Sequence, residues 1–441
     1  MITIIIYTIH LLCFSWISWV LFKQFRSKPL SKLYYPTLML KVVAGIALGM
    51  LYKFHYGYGD TLGFDKDTIE IVSHIKSYPS DFFRILFLSQ SKYSVHIHDY
   101  YPRFSATYLL LKICAVFYLI TNNSYWLTGM YLSLFSFIGM FSLANVMVKL
   151  FPKTHWEAAI AFLSFPAVIF WSTGLMKESI VEGCMGFVVA MILGRFRGLV
   201  YLKWLHYALM LVLLYWLFKI KFYYFIVLIP VLLMGIAWAK TPTWKWYVKL
   251  GLMCFFLFLG SLIVSKLHIH LDPQKVSGVI VVNHNDNYGF CFDSFSGGST
   301  DAKGIIMYDH LHNSAGNLLV NLPNAWFSSM FRPLPFDASN ALQLIFAMLN
   351  LGMLVLALLC VQKALIEKKI WRIEAVMCVA YFSVLGVCMA FASPNMGTLA
   401  RYKVGYLPFL LYLLLVYSKA LQLMPFNKII QRKYLSKLDL C

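Results

Sequence analysis

Runs of about twenty apolar residues recur along this chain, and no other feature limits its fold as tightly. A helix rises 1.5 Å per residue, so such a run crosses the roughly 30 Å of hydrocarbon in a bilayer. We read spans near 2–22, 35–53, 125–148, 157–174, 179–194, 200–218, 222–239, 248–265, 339–361, 373–392 and 404–418. Of the 441 residues, 60% are hydrophobic and 13% charged. A soluble globule cannot cover that much apolar surface with so few charges. The expected fold is therefore all-α: a polytopic helical membrane protein with about eleven transmembrane helices.

The formal net charge of +20 is then a statement about topology, not about nucleic acid, which is not expected as a partner. The first run has its cations behind it, at Lys23, Arg26, Lys28 and Lys32, which places the N-terminus outside and the first loop inside. The run also lacks the positive n-region and small-residue cleavage site of a signal peptide. Eleven spans put the Lys- and Arg-bearing segments 23–34, 149–156, 195–199, 240–247 and 362–372, and a C-terminal tail from Lys419, on the cytoplasmic side. The apolar segment 104–121 would reverse that arrangement if it crossed, so we expect an interfacial or re-entrant helix on the outer side there.

Two large outer loops follow, 55–124 and 266–338. They divide the chain into an N-terminal transmembrane module over 1–265 that includes the first loop, the second loop over 266–338, and a C-terminal module over 339–441. In the first loop, Ile69, Val72 and Ile75 mark the stripe of a short helix, and Phe82, Phe83, Leu86 and Phe87 suggest another. The second loop opens on a β-leaning piece, 276–282. The nine cysteines form no CxxC pair and mostly sit inside apolar runs.

Four constellations could carry chemistry. His55-Tyr-Gly-Tyr-Gly-Asp60 ends the second span with two glycines and a carboxylate that could act as a base or hold a metal. Lys177 and Glu178 lie at a junction of two spans, and ionisable groups at that depth usually face a cavity or a partner. Arg401, Tyr402 and Lys403 put two cations on the cation-poor side, where a fork and a point charge suit a phosphate; Arg332 is similar. The pairs His96/His98, His268/His270 and His310/His312 could each offer two imidazoles, with ordinary loop histidines the plainer reading. Lys41 and Lys112 are the charges within apolar segments.

In order and layout these features resemble the GT-C superfamily of membrane glycosyltransferases, and the segments 165–179, 330–333 and 395–403 resemble bacterial envelope-polysaccharide proteins. The resemblance implies a polyprenyl-(di)phosphate sugar donor, a glycan or lipid acceptor and membrane lipids as partners, in the plasma (inner) membrane. It implies that Asp60 and Glu178 are catalytic, Asp60 acting on the acceptor hydroxyl and Glu178 positioning Lys177 or a substrate hydroxyl. Lys177, Arg332, Arg401, Tyr402, Lys403 and His98 would bind substrate. A divalent metal stays open. An O-antigen or exopolysaccharide polymerase and a transporter of lipid-linked glycans are the alternatives.

Overall fold

The computed structural model describes residues 2–88, 105–241, 304–367 and 372–423, apart from single positions, together with scattered positions between 244 and 285. The described residues are helical, with one isolated bridge, Ile305 to Asn395, and no strand. The chain forms two compact units, Met1–Phe225 and Ile226–Cys441.

Among the described residues, six helices are long and apolar enough to cross a membrane, or up to seven if one bent pair counts as a span. This is consistent with a membrane protein. Four of the expected eleven spans do not appear as such. The segment 157–174 breaks into the helix His155–Ala158, a π-helical stretch Ala159–Ser164 and the helix Pro166–Trp171. Pro166 explains the break, because it has no N–H and starts a new first turn. The two helices expected at 200–218 and 222–239 are apolar but short, at Trp204–Ile220 and Phe222–Trp238, and Lys221 separates them. The fourth, 248–265, falls mostly outside the described residues.

The first unit contains α1 (Ile2–Phe25), α2 (Tyr34–Met50), α3 (Asp60–Ser77), α4 (Ala106–Thr121), α5 (Tyr125–Leu150), α6 (His155–Ala158), α7 (Pro166–Trp171), α8 (Lys177–Phe196) and α9 (Trp204–Ile220). Helices in lipid gain little from hydrophobic exclusion, so they associate by close packing at small residues. The α5–α8 pair does this. A methyl group on Gly139 would collide with the Gly183 carbonyl, and one on Gly186 with the backbone of Gly139. Around this seam, Tyr34 of α2 packs edge-on against Phe137 and Phe141 of α5, and its hydroxyl donates to the Ser18 carbonyl at 3.1 Å. Leu30 N–H donates to the Asn145 side chain at 3.0 Å and pins the α1–α2 connection to α5.

The described residues of the first expected outer loop, 55–88 and 105–124, are largely helical. The buried face of α3 is Phe64, Thr68, Ile71, Val72 and Ile75, whereas Ile69 is exposed. The expected stripe was thus off by a small rotation, because Phe64 and Ile71 set the face. After α3 the chain turns at Pro79–Asp81, where buried Asp81 meets His74 at 3.1 Å, and continues helically through Arg84–Leu88. The apolar segment expected at 104–121 forms α4, a 16-residue helix shorter than those long enough to cross a membrane. Leu110, Leu111, Cys114, Ala115 and Tyr118 are fully buried in it, and it packs on α3, α5 and α9.

The chain passes into the second unit within α10 (Phe222–Lys240). Its later helices are α11 (Ala315–Phe331), α12 (Ala341–Glu367), α13 (Ile373–Ala392), α14 (Met396–Tyr402) and α15 (Leu407–Ser418). The α14–α15 pair bends by 73°. Residues 278 and 280–282, expected to lean to strand, are helical.

Candidate functional site

In the first unit, Gly57 and Gly59 have φ of 71° and 119°, values that L side chains avoid. They let the chain turn out of α2 and start α3 at Asp60. Asp60 sits exposed in that first turn, where the helix dipole favours a negative charge. Phe64, one turn on along the same face, is buried, with the Lys177 ammonium 5.4 Å from its ring centre. Lys177 also donates to the Thr107 hydroxyl of α4 at 2.7 Å. Lys177 therefore reaches both α3 and α4 from the start of α8, close below the Asp60 face.

Glu178 has different company. It is 4% exposed and accepts a hydrogen bond from Lys221 at 2.8 Å, itself 3% exposed. Lys177 bonds Thr107, and Glu178 takes Lys221. Lys221 was legible only as a lysine between two apolar runs, and its partner was not legible at all. A further acid, Asp65, accepts a 2.5 Å bond from the Tyr118 hydroxyl. Burial lifts the Asp65 carboxyl above the ordinary carboxylate range, against the opposing pull of that hydroxyl and of Lys53.

Lys41 and Glu182 were not assigned a site by the sequence. Glu182 was overlooked because a lone acid in an apolar run is easily read as tolerated. Both are buried, at 4% and 0% exposure.

In the second unit, Arg332 closes a two-pronged pair with Asp337, Nε to Oδ2 at 3.0 Å and Nη2 to Oδ1 at 2.6 Å. The Leu334 N–H adds a bond to Oδ2 at 2.8 Å. Burial pushes the Asp337 carboxyl up, but the Arg332 fork and this N–H outweigh it and hold it below the ordinary range. Lys403 is buried and donates to the Arg332 carbonyl. Arg332 thus lies between Asp337, which takes its guanidinium, and Lys403, which bonds its carbonyl. The Tyr308 hydroxyl is buried with no hydrogen-bond partner among the described residues. Arg401 lies over the Tyr402 ring, 5.4 Å from its centre. Asn395 caps α14 by accepting from the Gly397 and Thr398 N–H groups, at 2.8 and 3.2 Å.

Of the sequence-predicted residues, Arg332 and Lys403 are brought together, Lys177 lies near the Asp60 face, and Glu178 is drawn into a buried pair. His98, with His96, His268, His270 and His310, lies outside the described residues. Among the described residues, no group of three or more His, Cys, Asp or Glu side chains could hold a metal ion. No family model, curated protein or solved structure matches the chain.

Proposed function

We propose that the protein is a membrane glycosyltransferase that moves a sugar from a polyprenyl-(di)phosphate donor to a glycan or lipid acceptor on the outer face of the plasma membrane. The observation that carries this reading is Arg332, forked onto Asp337 and bonded through its carbonyl by Lys403. Asp337 fixes Arg332 in place, and a fixed cation stabilises a phosphate that gains charge as its sugar departs. Arg332 stays partly exposed, with 21% of its side chain accessible, so a phosphate could reach its free edge while Asp337 holds the other. Arg401 and Tyr402 would add charge and an apolar face.

Asp60 is the better base of the two acids in this reading. It is exposed at a helix start and can meet an acceptor hydroxyl. Glu178, held by Lys221, would keep α8 in place, with Lys177 oriented toward the Asp60 face. A cell lacking the gene should lose an envelope glycan and accumulate a lipid-linked intermediate. The native gene should restore both and Asp60→Asn should not. An unchanged lipid-linked pool in the deletion strain would reject the proposal.

One observation favours a second reading, the transport of a lipid-linked glycan. Lys41 and Glu182 are buried charges on helices long enough to span, and such charges commonly line substrate or proton paths.

A further inference from the structure

α11 is an amphipathic helix built inside out. Leu319, Val320, Pro323, Trp326 and Phe327 recur one and two turns apart, so they form one stripe. That stripe is exposed, Leu319 at 66% and Val320 at 71%. The opposite face, Asn321, Ala325, Ser328 and Ser329, is buried. A helix on an aqueous surface turns its polar side outward. In the expected outer loop 266–338, water would meet the apolar stripe instead.

The two neighbouring helices measure how far α11 reaches. α12 and α13 are both long and apolar enough to cross a membrane, and they are joined by a short connection, so their Ala341 and Ala392 ends face one side. Ala325 of α11 packs with Ala390 and Phe391 near that end. One turn further along both helices, a methyl group on Gly386 would collide with Ser329 and Met330. α11 therefore runs antiparallel to α13, inward from the Ala392 end. The Trp326 indole N–H donates to the Ser383 hydroxyl at 3.1 Å, nine residues or about 14 Å from Ala392. On α12 the Asn350 amide, also nine residues from the helix end, donates to the Pro333 carbonyl at 3.0 Å. Both neighbours bring the end of α11 near half of the roughly 30 Å of hydrocarbon.

Side chains take the backbone carbonyls at that depth. The Tyr406 hydroxyl donates to the Ser329 carbonyl at 2.8 Å, Lys403 to that of Arg332, and Asn350 to that of Pro333. The Tyr381 hydroxyl donates to the Gly405 carbonyl at the α14–α15 bend, at 3.0 Å. Non-helical backbone inside a bilayer needs protein partners of this kind. Arg332 and Asp337 are there as a closed pair, the state in which charges are tolerated inside a bilayer.

We propose that residues 315–340 form a re-entrant hairpin: α11 enters the bilayer beside α13, the chain turns back after Arg332, and the α11 stripe lies against lipid acyl chains. The occupant is hydrocarbon because the stripe holds no ionisable group, and α12, on which α11 also packs, exposes Leu344, Ile345 and Met348 as a lipid-facing span does. The inference does not rest on the glycosyltransferase reading.

The test is photolabelling of the full native chain in phosphatidylcholine vesicles, read by peptide mass spectrometry. Three diazirine probes are compared: one near the end of a lipid acyl chain, one on the lipid headgroup and one dissolved in water. The acyl-chain probe should label Trp326 and Phe327 more than either other probe does, and Asn321 and Ser328 should stay unlabelled. Strongest labelling of the stripe by the water-soluble probe would return α11 to an aqueous loop. Strongest labelling by the headgroup probe would lay it flat in the interface. No labelling by any probe would mean that protein, a second copy or another chain, covers the stripe. Each of these three results overturns the proposal.

Discussion

Asp60 and Glu178 are the same chemistry at the same place in a helix, each in a first turn, α3 for one and α8 for the other. Their surroundings separate them. Asp60 follows two left-handed glycines and opens to solvent; Glu178 is buried and receives a lysine from the end of α9. A carboxylate that meets water can trade protons with a substrate. One that is buried and bonded serves packing, because removing its partner strands a charge. The helix start alone therefore does not tell a chemical acid from a structural one; what covers it does.

The contrast can be broken in four places. The largest effect is expected at Asp60. Asp60→Asn should lower glycosyl transfer by about 10²–10⁴-fold, the range for loss of a positioned general base. Thermal stability should stay at the native value, and equal activity in the variant would return Asp60 to a surface turn. Next comes Glu178→Gln, which should destabilise the first unit by about 3–5 kcal/mol, the scale for one partner of a buried pair. Denaturation in mild detergent checks this. A neutral double variant, Glu178→Gln with Lys221→Met, should recover much of the loss, and no recovery would mean the two side chains do not act as a pair.

Asp337 extends the comparison to the second unit, with a smaller expected effect. Asp337→Asn should cost about 1.5–3 kcal/mol, the range for hydrogen bonds to charged groups. The sign with pH follows from a carboxyl held below its ordinary value. Its stabilisation is complete above the unfolded pKa and is lost as pH falls through the folded one. The native second unit should thus lose stability on acidification, and Asp337→Asn should flatten that part of the curve. Asp65 carries the smallest effect and the opposite sign. Its carboxyl is held above the ordinary range, so ionising it weakens the fold as pH rises through that range. Asp65→Asn should raise the melting temperature slightly at neutral pH and not at acid pH. A gain that is the same at both would assign the effect to something other than charge.

Much of this architecture was legible before any coordinates, and the reasons are physical. Apolar length alone identifies α1, α2, α5, α8, α12 and α13, because a bilayer imposes a minimum run. At 157–174 the same rule meets a helix of shorter apolar length, where hydropathy cannot see that Pro166 divides it. The glycines before Asp60 were read correctly as a sharp turn, since positive φ is a property of the residue itself. Arg332 and Lys403 were found by their sign on a cation-poor side, but Asp337 was not linked to them. Partners such as Lys221 for Glu178, or Ser172 for Lys41, depend on contacts 43 and 131 residues apart in sequence, which periodicity does not encode.

The glycine seam between α5 and α8 has a mechanical consequence. Where Gly139 meets Gly183 and Gly186, backbone lies on backbone, without side chains to act as a compliant layer. Sliding α8 by a turn would drive the bulk of its neighbouring residues into α5, so the two helices behave as one rigid beam. Glu178 and Glu182 are mounted on that beam at fixed heights, one turn apart. Any displacement that separates Glu178 from Lys221 must come from the element carrying Lys221, with α8 as the stationary reference.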